Sequence, residues 1–170
     1  WRGLVALLKR KVERAYDAME RSELWRRAGS VLDELLGDAE GAIQAYRAAL
    51  EETDDDTASL EALDGLYERT GDSRALADVL RRRAELSPSA DERLDVNLRL
   101  GRVLAGPLQR PHEAIEAYTR VLDDDPSHAE ALRALGELYE SQSLWSDLLD
   151  NLRRQLELAT DGNERLALTG

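Results

Sequence analysis

Apolar residues recur along this chain at intervals of three and four rather than two, the spacing that gathers side chains on one face of an α-helix. Leu60, Leu63, Leu66 and Tyr67 form one such face, and Ile43, Tyr46, Ala49 and Leu50 form another. Between the faces stand stop and start signals. Gly37 before Asp38, and Gly71 before Asp72 and Ser73, each place a C-terminal glycine ahead of an N-cap. Ser89 with Glu92, and Ser127 with Glu130, have the spacing of a capping box, and Pro111 suits a first helical turn, where its missing N–H costs nothing. The pattern predicts nine helices, over residues 2–17, 20–36, 39–53, 57–70, 73–86, 90–105, 111–124, 127–141 and 144–159. Helices of this length joined by short turns must pack as antiparallel hairpins.

The hairpins repeat. Displaced by 72 residues, the chain matches itself without gaps: AIQAYRAAL at 42–50 falls on AIEAYTRVL at 114–122, ALDGLYE at 62–68 on ALGELYE at 134–140, and LRRRAEL at 80–86 on LRRQLEL at 152–158. Self-similarity at a fixed period belongs to stacked arrays, whose units bury their apolar faces only against neighbours. One array over 1–170 is therefore expected, with hairpins at 20–53, 57–86, 90–124 and 127–159. A shift of 144 residues sets Trp1 on Trp145, Leu4 on Leu148, Leu8 on Leu152 and Arg10 on Arg154, so 1–18 is expected to be the second helix of a truncated repeat. Residues 163–170 are expected to start a further one. Both ends then fall inside a hairpin, as in a segment of a longer repeat protein. Trp1, Leu4 and Leu8 should expose an apolar edge, open to end-to-end self-association through the terminal helices.

Composition narrows the partners. Charged residues make up 34% of the 170, apolar residues 42% and aromatics 5%, without Phe or Cys, which suits an all-α chain and leaves strand formers too scarce for a sheet. There is no apolar run of about 18 residues, so no membrane insertion is expected, and GLVALL at 3–8 leads straight into Lys9, Arg10 and Lys11. The net charge is -12, and residues 1–36 hold eight basic and six acidic side chains, so the remainder carries nearly all the acidity. A phosphate backbone would be repelled, and nucleic acid is not an expected partner. Lys9, Arg10, Lys11 and Arg14 are the local exception and read as a solvated helix face. The absence of Cys leaves the redox compartment undecided, with a cytoplasmic location favoured. Use of 21 Arg against two Lys points to a GC-rich, bacterial genome.

On these residues the chain resembles the tetratricopeptide repeat family, a helix–turn–helix unit of about 34 residues. The best match is 127–158, where Leu135, Gly136 and Tyr139 stand at the family's first-helix Leu, Gly and Tyr, and Pro126 ends the preceding unit. Leu100 and Gly101 fit a first helix, while Ala114, Tyr118 and Leu122, like Ala42, Tyr46 and Ala49, fit the second helix's small, aromatic and apolar positions. Departures fall at packing positions: Asp64 replaces the small first-helix residue, and Leu76 and Leu148 replace the second helix's Ala. The first and third hairpins also carry one extra residue between their helices. The resemblance implies a right-handed α-α superhelix, an α-solenoid, of about four repeats with partial repeats at both ends. Large-for-small exchanges should alter its pitch.

Candidate chemistry is sparse. His112 and His128 flank Asp123, Asp124 and Asp125, but their spacing matches no set of zinc or calcium ligands, so no metal and no cofactor is expected. Without a Cys, a nucleophile beside a base, or a glycine-rich phosphate loop, no enzyme is expected either. Trp25, Trp145 and the tyrosines Tyr46, Tyr67, Tyr118 and Tyr139 sit on apolar faces and are expected to pack. The resemblance implies instead a protein or peptide partner lying in a concave groove lined by first helices. By register that groove holds Glu23, Arg26, Ser30 and Asp33, then Glu61, Gly65, Glu68 and Arg69, then Asp95, Leu98 and Arg102, then Glu130, Arg133, Glu137 and Glu140. The family's clamp for C-terminal carboxylates uses Lys and Asn at such places, which this chain lacks there. Two functions stand: a scaffold capturing a peptide or partner domain, and a structural spacer or assembly segment.

Overall fold

The computed structural model describes the backbone of residues 1–169 and the side chains of 1–159. Every element within that range is helical: α1 (Arg2–Val12), α2 (Ala18–Ser30) continuing into a π-helical turn (Val31–Leu35), α3 (Ala39–Glu52), α4 (Thr57–Thr70), α5 (Ser73–Leu86), α6 (Ala90–Ala105), α7 (Pro111–Asp124), α8 (Ala129–Ser141) and α9 (Trp145–Thr169). The chain divides into two compact units, 1–86 and 87–170. In the first, α1 packs on α2, α2 on α3, α3 on α4 and α4 on α5; in the second, α6 packs on α7, α7 on α8 and α8 on α9.

Local chemistry sets the ends. Asp38 Oδ1 accepts from Gly41 N at 2.9 Å and Asp72 Oδ1 from Ala75 N at 3.1 Å, satisfying N-terminal donors of α3 and α5. Gly37 and Gly71 take φ of 64° and 76°, the left-handed conformation that lets the preceding helix stop within one residue. Ser89 Oγ accepts from Glu92 N at 3.5 Å, one bond of the expected box, and the Glu92 carboxylate also accepts from the Ser87 hydroxyl at 2.7 Å.

Several boundaries differ from the sequence pattern, α2 starting at Ala18 rather than 20 among them, and three have a local cause. α1 ends at Val12 rather than 17, because the Arg21 guanidinium donates to the Ala15 and Tyr16 carbonyls at 3.2 and 3.0 Å and holds that stretch as a loop. α8 starts at Ala129, not 127: Ser127 donates its N–H and hydroxyl to Asp125, at 3.0 and 2.8 Å, and His128 Nδ1 caps the helix by accepting from Ala131 N at 3.3 Å. Those two Ser127 donors hold the Asp125 carboxyl below the usual carboxylate range. α9 does not stop at 159 for a fresh helix at 163 but runs unbroken to Thr169; residue 170 lies outside the described residues. One interior Gly costs about 1 kcal/mol, less than nucleating a new helix.

The core is small side chains under large ones. Ala42 and Ala49 in the first unit, and Ala114 and Val121 in the second, have no exposed surface, while Leu60, Leu63 and Leu80, and Leu100, Leu132 and Leu135, are buried around them. Tyr46, Tyr67 and Tyr118 are buried as expected and Tyr139 is half-buried, whereas Trp145 and Tyr16 stand in solvent. The apolar edge at α1 is also smaller than expected. Trp1 is exposed, but Leu8 is buried, since α2 packs over that side of α1.

One polar device occurs twice at the 72-residue period. Arg21 Nε donates to Glu52 at 2.8 Å while another nitrogen holds the preceding loop; Arg93 donates to Asp124 at 3.2 and 2.6 Å and to the Ser87 and Pro88 carbonyls at 3.5 and 3.4 Å. Each arginine ties the start of a first helix to the end of its second helix and to the loop before it. A buried ion pair, Arg83 with Asp64, occupies the site where Gly136 and Gln155 stand one period later.

Candidate partner-binding face

In the first unit the proposed groove residues come from α2, its π turn and α4. Gly29 brings α2 down onto the Tyr46 ring, where a Cβ would lie 2.8 Å from ring carbons. Burial pushes the Tyr46 hydroxyl above its ordinary pKa, with Asp33 and Glu34 adding to the rise and Arg26 opposing it. The tyrosine tip thus marks where this face's charges converge. Asp33 pairs with Arg69, joining the π turn to the end of α4, and Arg26 sits 3.6 Å from Asp56 at the start of α4. Ser30 Oγ donates to Glu34 at 2.9 Å. Glu23, Glu61, Gly65 and Glu68 are exposed.

The second unit repeats the construction. A Cβ at Gly101 would lie 2.6 Å from the Tyr118 ring, and that hydroxyl is raised by burial, lowered by Arg102 and raised again by Glu130 and Glu137. Arg102 grips Glu130 with two parallel bonds, Nε to Oε1 at 2.7 Å and Nη2 to Oε2 at 2.8 Å, a fork geometry that fixes both partners. Asp95, Arg133, Glu137 and Glu140 are exposed. Leu98 is buried, with 6% of its surface exposed, and presents nothing to a ligand. An apolar side chain among charged neighbours gains by leaving water.

The register therefore brings together Asp33 with Arg69 and Arg102 with Glu130. It leaves the remaining acids of each face spread along their helices. Asp56 and Glu34, which hold Arg26 and Ser30, were not among the expected residues; Glu34 carries a readable signal, its i,i+4 spacing from Ser30.

A second feature was not anticipated. On the other side of α4 a cleft of about 380 Å³ opens between α3 and α5. Buried Leu60, Leu63 and Val79 floor it, while Arg47, Arg74, Asp72 and Asp78 are exposed at its rim. The second unit has a cleft of about 410 Å³ between α7 and α9, floored by Leu132 and Leu135. Most of their lining residues lie one period apart. The signal for them lay in the 72-residue alignment, where Arg47 faces Thr119, Arg74 faces Ser146 and Ala75 faces Asp147.

Residues 131–166 match the family model for the tetratricopeptide repeat. Among solved structures the chain is similar to MamA AMB-1, with a TM-score of 0.62 and 21% identity over 99% of this chain and 94% of that one. It is similar also to a crystal structure of MamA at TM-score 0.56 and 18% identity, covering 94% of this chain and 89% of that one. For MamA MSR-1 the values are 0.55 and 20%, covering 94% of each chain. No curated protein matches the sequence. With its helical hairpins, its 72-residue self-match and these likenesses, the chain is an all-α array of tetratricopeptide-like helical repeats, a fold of the α-solenoid kind.

Proposed function

We propose that this chain is a non-catalytic protein-interaction scaffold whose partner is a basic peptide or a basic strip of a partner domain, held on the first-helix faces. The carrying observation is that Arg26, Arg69 and Arg102 are each engaged by a carboxylate of the chain itself. Arg133 apart, what these faces then offer a ligand is acidic: Glu23 and Glu61 in the first unit, and Asp95, Glu137 and Glu140 in the second. Complementary charge supplies on-rate and register to such a contact. A labelled lysine-rich peptide, titrated by fluorescence anisotropy, should bind the chain and lose about tenfold in affinity to Glu137→Lys/Glu140→Lys, two reversals of exposed charge. Equal binding by that variant, with helicity intact, would overturn the reading.

The structural alternative, a segment that assembles through its ends, is favoured by a separate observation. Trp145, Leu149, Leu152 and Leu156 form an exposed apolar stripe at three- and four-residue spacing on α9. Of their counterparts on α1, Trp1 is exposed but Val5, Leu8 and Val12 are buried. Sedimentation velocity separates the outcomes: assembly through this stripe predicts oligomers abolished by Leu149→Glu/Leu152→Glu, and a clean monomer at high concentration removes the alternative.

A further inference from the structure

We propose that the cleft between α3 and α5 is a second binding site, on a different side of the first unit from the groove residues, and that it takes an acidic peptide segment presenting one apolar side chain. The floor is built for the apolar part. Half-buried Leu50 and Ala75 present apolar surface to it, backed by buried Leu60, Leu63 and Val79, and the space of about 380 Å³ admits a side chain of leucine size. The rim is built for the acidic part. Arg47 and Arg74 are exposed there, and among the described residues neither makes a hydrogen bond or an ion pair. Arg21, Arg26, Arg69, Arg83, Arg93 and Arg102, by contrast, each hold a carboxylate of their own chain. Arg82, also at the cleft, is turned to the Asp54 backbone carbonyl and stands 3.8 Å from its carboxylate. Asp72 and Asp78 share the rim, so the cleft carries three arginines against two aspartates.

The matching cleft of the second unit serves as an internal comparison. Its floor keeps leucines at the same register, Leu132 on Leu60 and Leu135 on Leu63, so packing of the hairpins demands the floor in both places. Packing makes no such demand on the rim, and there the two diverge. Thr119 and Ser146 replace the two unpaired arginines, and Asp123, Asp147 and Asp150 leave one arginine, Arg154, against three aspartates. Thr119 spends its hydroxyl on the Ile115 carbonyl at 2.8 Å. The same scaffold thus carries one cleft suited to carboxylates and one that repels them, in a chain whose overall charge of -12 would itself turn an acidic ligand away. Guanidinium groups bind carboxylates through paired N–H donors, and above an apolar floor they are less screened than on open surface.

The test uses a fluorescein-labelled peptide with a central leucine flanked by glutamates, and its lysine counterpart, titrated by anisotropy into the full chain. The glutamate peptide should bind with one-to-one stoichiometry. Arg47→Glu/Arg74→Glu should weaken it by tenfold or more, Arg47→Gln/Arg74→Gln by less, and Arg154→Glu not at all, with helical circular dichroism unchanged in each. No binding by the unaltered chain at millimolar concentration, or equal loss on Arg154→Glu, or full retention by Arg47→Glu/Arg74→Glu, would each overturn the assignment. Because Glu137→Lys/Glu140→Lys should leave glutamate-peptide binding in place, failure here and failure of the first-helix reading are told apart.

Discussion

Two glycines set the closest approach inside the hairpins, and a third gives the contrast. Gly101 lies against the Tyr118 ring, where an added Cβ would sit 2.6 Å away, while nothing lies within 4 Å of a Cβ built at exposed Gly65. Both occupy helix interiors, where Ala is favoured over Gly by about 1 kcal/mol. At Gly65 that preference acts unopposed, so Gly65→Ala should stabilise by about 0.5–1 kcal/mol. At Gly101 it is outweighed by overpacking of about 1–3 kcal/mol, so Gly101→Ala should lower the midpoint in a denaturant titration. The buried pair makes a similar point about charge. Asp64 and Arg83 have side chains 4% and 15% exposed, so Arg83→Gln, which takes a guanidinium away from a buried carboxylate, should cost about 3–5 kcal/mol. Adding Asp64→Gly reproduces the Gly136 and Gln155 arrangement one period on and should recover a large part of that loss in the same titration.

At the scale of the helix, the sequence was most legible where packing and capping agree. α4, α5, α6 and α7 begin and end where apolar spacing, Gly71, Ser89 and Pro111 place them. Legibility failed where a distant partner overrides local preference. No pattern within residues 13–17 announces that Arg21 will take two of that stretch's carbonyls, or that Asp125 will draw Ser127 away from a cap. Helical spacing puts Arg69 and Arg102 on first helices, but their engagement by Asp33 and Glu130 is a tertiary fact that no local pattern announces. Leu63 and Leu135, each 1% exposed, are the counterpart that pattern alone identified. Truncating either to Ala should cost about 2–5 kcal/mol, read from thermal or denaturant unfolding. The repeated arginine device predicts a pH effect. The hydrogen bond from Arg21, ahead of all other influences, holds the Glu52 carboxyl below its ordinary value. A depressed carboxylate contributes stability that is present above its unfolded-state pKa and lost as pH falls through the folded one. Glu52→Gln should therefore lower the melting temperature at pH 7 and leave it nearly unchanged at acid pH.

For the whole molecule, the decisive quantity is the excess of 35 acidic over 23 basic side chains, because it acts on every ligand whichever face that ligand meets. A lysine-rich peptide on the first-helix faces is helped both by its local carboxylates and by the general field. Salt screens both, and at 0.15 M the screening length is already about 8 Å. Its affinity should therefore fall steeply as salt rises. A glutamate-rich peptide in the α3–α5 cleft meets a local attraction from Arg47 and Arg74 inside a general repulsion. Added salt weakens the first and relieves the second, and a contact partly shielded in a cleft is screened less than an open field. Its affinity should change little between low and moderate salt. The two peptides should also bind together, since they use different sides of α4 and oppositely charged groups. Anisotropy titrations of each, with and without the other at saturation and over a range of sodium chloride, read all three outcomes at once. Parallel salt slopes, or mutual displacement, would mean that both peptides report the same surface and that the molecule has one binding face.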